Sequence, residues 1–132
     1  MDPVRSPVAR SRVLVIGLDP YRVQGPWDPK PVADAVEAGL AGLAEAGFES
    51  EACLVGLDGT DDIEARVRTQ LEAGTWDCVV VGGGIRGADE LLELFETIIN
   101  LVRRHAPRAA IAFNTTPHDL VHAVTRGLGR AD

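Results

Sequence analysis

Short continuous apolar runs alternate along this chain with longer stretches in which apolar residues recur every three or four positions. The first pattern predicts strands and the second predicts helices. The apolar runs are RVLVIG (Arg12–Gly17), FESEACLV from Phe48, DCVVVG (Asp77–Gly82) and AAIAF from Ala109. The first and third are apolar throughout, as expected of central strands buried on both faces. The second begins with an alternation that tolerates water on one side, and the fourth is short and follows Pro107, so both read as edges.

Four helical patterns separate or follow these strands. The first starts near Asp28–Pro31, with Asp28 as cap and prolines in the first turn, and ends at Gly47. Its buried stripe is expected to be Val32, Val36, Leu40 and Leu43, with Gly39 and Gly42 permitting close approach to the sheet. The second follows Thr60 as cap, buries Ile63, Val67 and Leu71, and stops at Gly74. The third spans Ala88–His105. Leu91, Leu92, Phe95, Ile98, Ile99 and Val102 fill its core stripe, which leaves Leu94 and Leu101 over. These two indicate either a wider core face or a symmetric dimer contact. The fourth is capped by Thr115 or Thr116, has Pro117 in its first turn, and turns Leu120, Val121, Val124 and Leu128 inward; the tail Arg126–Asp132 reads as frayed.

Four successive βα units imply an α/β fold: a four-stranded parallel sheet of order 2-1-3-4 between two helical layers. Residues 12–128 are expected to form one domain, with residues 1–11 as a disordered leader. Over most of residues 12–128 this pattern resembles flavodoxin-like folds, including response-regulator receiver domains, so the resemblance implies a three-layer flavodoxin-like sandwich. Its implications stop at architecture. Gly17 and Gly82 stand where a receiver-like chain carries an acidic pair and a phosphorylatable aspartate, there is no lysine beyond Lys30, and GLDPYR replaces a hydroxyl-rich flavin phosphate loop.

A net charge of −7 with scattered basic residues argues against a nucleic-acid partner, and no apolar run is long enough to span a membrane. A cytoplasmic setting is expected. Cys53 and Cys78 fall in different strands and read as small buried hydrophobes rather than a disulfide.

In a doubly wound sheet, ligands bind outside the carboxyl ends of the strands where the connections diverge, here between the first and third strands. The segment CVVVGGGIRG empties an apolar strand into three glycines, an arginine and a helix. Backbone amides of Gly82, Gly83, Gly84 and Gly87, together with the Arg86 fork, suit a small anionic or polar molecule. Gly82, Gly84 and Gly87 match G-x-G-x-x-G literally, but such a fingerprint belongs after the first strand and needs an acidic residue ending the next, where Asn114 stands. The cofactor is therefore left unassigned.

Two further loops meet this edge. The stretch from Gly17 to Pro31 is long for a βα connection and carries Asp19, Tyr21 and Trp27. The other is NTTP, in which Asn114 is the stronger ligand contact and Thr115 a weaker one that also reads as a cap. Asp19 either orients a ligand hydroxyl, binds a metal or acts as a base, or it simply forms a turn as an Asp-Pro pair. His118 is a candidate acid or base. His118 and His122 share a helical face, but no third metal ligand accompanies them, so no metal site is assigned. Three functional readings result: a binding domain for a small anionic or polar metabolite; a small enzyme using Asp19 or His118 with Arg86 stabilising an anion; and a dimerising or regulatory module acting through the helix at 88–105.

Overall fold

A computed structural model describes residues 10–23 and 25–129. The sheet contains β1 (Arg12–Leu18), β2 (Glu49–Val55), β3 (Cys78–Val81) and β4 (Ala110–Phe113), all parallel, in the order β2-β1-β3-β4. The central pair is apolar because both faces are covered: Val13, Leu14, Val15 and Ile16 in β1, and all four residues of β3, are buried. Ile16 pairs with Cys53 on one side and Val81 on the other, so β1 runs on through Gly17 and Leu18 past the end of β3.

The pleat divides these residues between two cores. Leu14, Ile16, Val79 and Val81 pack with α2 (Ile63–Glu72) and α4 (Leu92–His105). Val13, Val15, Cys78 and Val80 pack with α1 (Lys30–Glu45) and α5 (Leu120–Gly127). The result is the α/β sandwich of three layers that the alternation of patterns predicts. A single helical turn, α3 (Gly83–Arg86), follows β3 directly.

Helix ends explain several departures from the sequence reading. Asp62, not Thr60, caps α2 by accepting from the Ala65 amide, while Thr60 bonds to Asp58. The third helical pattern breaks into a 3-10 turn, Asp89–Leu91, before α4. Thr116 and Asp119 form a reciprocal capping box around the 3-10 turn Pro117–Asp119 that leads into α5. That last helix stays tied to the sheet through Arg126, whose Nη2 donates to the Phe113 carbonyl at 2.7 Å, so residues 126 and 127 are not frayed. Residues 1–9 of the expected leader and 130–132 of the tail lie outside the described residues.

Three packing expectations need correction. Of the α1 stripe, only Leu43 is fully buried; Val32 and Val36 face an open cavity instead of the core. Gly39 and Gly42 approach the start of α5 rather than the sheet. A Cβ at Gly39 would collide with the Pro117 carbonyl, and one at Gly42 would meet only Val121. On α4, Leu101 is 2% exposed and Leu94 packs against the same core, whereas Leu92 is 57% exposed. The surplus leucines thus reflect a wide core face, because α4 packs against α2 as well as the sheet. Among the described residues, no helix is long and apolar enough to cross a membrane.

Candidate functional site

The ends of β1, β3 and β4 open onto a cavity of about 280 Å³, bounded on the far side by α1 and by the loop after β1. Gly17, Gly82, Gly83 and Gly84 supply the glycine-lined part, Val32 and Val36 the helical wall, Pro20, Val23 and Trp27 the loop, and Asn114–Pro117 the remaining side. Its volume lies at the lower end of the ~300–1,000 Å³ typical of ligand pockets, which suits one or two rings and not a dinucleotide. Among the described residues, no charged side chain lines it.

The glycine turn can lie this close because of Gly83. A Cβ there would come within 2.7 Å of the Thr115 carbonyl oxygen and 3.1 Å of that of Asn114, so β3 and β4 exit backbone against backbone. The Gly82 amide donates to Ile16, and Gly82 and Gly83 carbonyls accept from Ile85, Arg86 and Gly87 within the turn. The amides of Gly83 and Gly84 have no acceptor among the described residues.

Asn114 is the polar residue that the fold leaves unfinished. It is 5% exposed, and its Nδ2 donates to the Thr116 carbonyl at 2.8 Å. Since a carbonyl only accepts, this bond fixes the orientation of the side-chain amide. Oδ1 is then buried with no hydrogen-bond partner. Such an acceptor costs about 1–3 kcal/mol while unsatisfied.

The neighbouring threonines are already committed. Thr115 donates through both its amide and its hydroxyl to the Asp119 carboxylate, which also accepts from the Thr116 amide. Burial alone would raise the Asp119 pKa, but the Thr115 hydroxyl and the Thr115 and Thr116 amides outweigh it, and the net shift is downward. The Thr116 hydroxyl accepts from the His118 amide. Asp119 therefore fixes the shape of the NTTP wall, a role suggested in sequence only by its capping-box spacing from Thr116.

Gly82, Gly83, Gly84, Asn114 and Thr115 are thus brought together around one cavity. Arg86, Gly87, Asp19 and His118 do not line it. Arg86 is exposed and donates from Nη2 to the Asn114 carbonyl at 3.3 Å. Gly87 closes that turn by donating to the Gly83 carbonyl. Asp19 accepts from the Tyr21 amide at 3.0 Å and caps the 3-10 turn Pro20–Arg22, which is the turn-forming role that an Asp-Pro pair suggests. His118 is exposed in the capping turn. Among the described residues, no group of three or more metal-ligating side chains converges.

The long loop is held in place by a cluster that sequence reasoning missed. Arg22 meets Asp58 through Nε at 3.2 Å and Asp61 through Nη2 at 2.9 Å, and Nη2 also donates to the Thr60 hydroxyl. Asp61 receives the Gly56 amide and Arg66 as well. Hydrogen bonds from Arg22, first, and from Thr60 hold Asp58 well below the usual carboxylate range. Bonds from Arg22 and the Gly56 amide bring Asp61 down to about 2. This clip joins the segment carrying Val23 and Trp27 to the loop after β2.

No family model matches the chain, and no curated protein matches it.

Proposed function

We propose that this chain is a small-ligand-binding α/β domain whose polar ligand occupies the cavity at the carboxyl ends of β1, β3 and β4. The observation that carries this reading is the buried, unpartnered Asn114 Oδ1 beside an apolar cavity. An acceptor held there by a second, satisfied bond is preorganised for a donor from outside, and buried acceptors without partners are rare in folded proteins. The position of the cavity supports the same reading, because ligands of doubly wound sheets sit at this edge. The two free, buried cysteines fit the expected cytoplasmic setting.

The acid–base alternative built on Asp19 or His118 gains no support from their positions away from the cavity. Of the two residues that motivated the dimer reading, Leu101 is buried and Leu94 is partly buried against the core, so they lend it no particular support. A fragment screen of one- and two-ring compounds by amide-resolved NMR tests the proposal. Bound fragments are expected to move the Gly83, Gly84 and Asn114 side-chain resonances, and the cavity-filling variant Val36→Phe is expected to abolish those shifts. Fragments that bind while leaving the three residues unperturbed would place the site elsewhere, and a screen without any hit would also reject it.

A further inference from the structure

Resting on that binding reading, we infer that the ligand is an uncharged ring compound that presents an N–H donor to Asn114 Oδ1, and not an anion. Three observations select the class. First, Asn114 lines the cavity, and the side-chain atom it leaves buried and without a partner is a carbonyl-type oxygen, which accepts and cannot donate. A carboxylate or phosphate oxygen placed against it would meet the negative end of that dipole.

Second, among the described residues the cavity offers no cation. Arg86 lies outside the lining, and its guanidinium is engaged by the Asn114 carbonyl. Moving a full charge out of water into an apolar wall is unfavourable unless a counter-charge and hydrogen bonds replace the lost solvent. The amides of Gly83 and Gly84, without an acceptor among the described residues, can donate to a neutral carbonyl of the same ligand, but they are weak compensation for a whole charge.

Third, the rest of the surface is shaped for a ring. Val32, Val36 and Leu54 provide apolar walls, and Trp27 lines the same cavity while keeping about half of its own surface open. An indole left in that position offers a face for a flat, weakly polar partner. A carboxamide or lactam edge on an aromatic ring combines the donor, the adjacent acceptor and the flat apolar body.

Three probes of one shape separate the possibilities: benzamide carries the N–H donor and a carbonyl, acetophenone keeps the carbonyl without the donor, and benzoate is the anion. Titration by NMR and calorimetry at pH 7 is expected to show benzamide binding at least about tenfold tighter than either of the others, the size of one buried hydrogen-bond mismatch. In Asn114→Leu the gap between benzamide and acetophenone is expected to close, with acetophenone affinity retained within about threefold. The ratio in the unmodified protein stands as a test even if that variant fails to fold.

Benzoate binding as tightly as benzamide would overturn the inference and point to an anion site, while leaving the cavity reading intact. Equal affinity for benzamide and acetophenone would show that Oδ1 is not read by the ligand. Failure of all three to bind at millimolar concentration would also overturn it, and the separate fragment screen then decides whether the cavity binds anything.

Discussion

Two neighbouring glycines in the β3 exit should respond oppositely to the same added methyl group. Neither Gly83 nor Gly84 has a positive φ, so alanine fits the backbone at both positions and packing alone decides the outcome. At Gly84 the new Cβ would meet only Leu18 Cδ1, at 3.5 Å, an ordinary contact. Replacing glycine by alanine in a helical turn then gains about 0.5–1 kcal/mol from the reduced freedom of the unfolded chain. At Gly83 the Cβ would lie 2.7 Å from the Thr115 carbonyl and 3.1 Å from that of Asn114, both fixed backbone atoms. The strand exits must separate, at the ~1–3 kcal/mol typical of overpacking. The gain in the unfolded chain is common to both, so the two variants should differ by about 1–3 kcal/mol, or roughly 4–12 °C in melting temperature at ~4 °C per kcal/mol for a chain of this size. Urea denaturation and calorimetry of both variants measure the difference. If Gly83→Ala melts at or above Gly84→Ala, the backbone contact between the β3 and β4 exits is not what requires glycine there.

Other consequences follow from individual groups. Because Asp58 and Asp61 are held below their ordinary range, the Arg22 clip contributes fully above about pH 5, where a free aspartate is almost wholly ionised, and is lost as the pH falls through about 2. Arg22→Gln should flatten this acid limb of the stability profile; parallel profiles for the two proteins would contradict the clip. Burial pushes the Cys78 thiol up to about 11 and also raises that of Cys53, so neither should react with a thiol reagent at pH 8 until denaturant is added. Rapid labelling of the native protein would show that β2 or β3 opens. On α4, Leu101→Ala should cost about 2–5 kcal/mol, whereas Leu92→Ala should stay within about 0.5 kcal/mol. Equal losses in urea denaturation would restore the case for a buried outer face.

The sheet was legible because its signals are local. An apolar run such as Cys78–Val81 can be satisfied only by burial on both faces, so its central place follows from composition alone. The alternation in β2 and the shortness of β4 mark the edges by the same logic. Helix faces were less legible, because periodicity identifies an apolar stripe without saying what covers it. Val32 and Val36 keep helical register with Leu43 but extend beyond the sheet's end, where they line a cavity. Leu101 looked surplus on α4 because a second neighbour, α2, widens the buried arc. Arg22 and Asp58 are separated by 36 positions in the chain, and no local pattern signals that they meet.

The position of the cavity was readable for a physical reason that also limits its chemistry. A strand that ends in consecutive glycines brings backbone close to backbone, and the Gly83 contact with Asn114 and Thr115 is such an approach. Close approach leaves little room for side chains, so the polar character of the edge comes from main-chain groups and from whichever short side chain is trapped beside them. Asn114 is that side chain, and only three-dimensional bonding shows which of its two ends is spent on Thr116. Arg86, the most conspicuous charge in the sequence motif, follows three residues after Gly83 in a single helical turn, which carries it out of the cavity lining. A glycine-rich exit followed by arginine thus need not mark an anion site. Where the turn tightens directly after the strand, the amides and the guanidinium part company, and among the described residues no charged side chain lines the cavity.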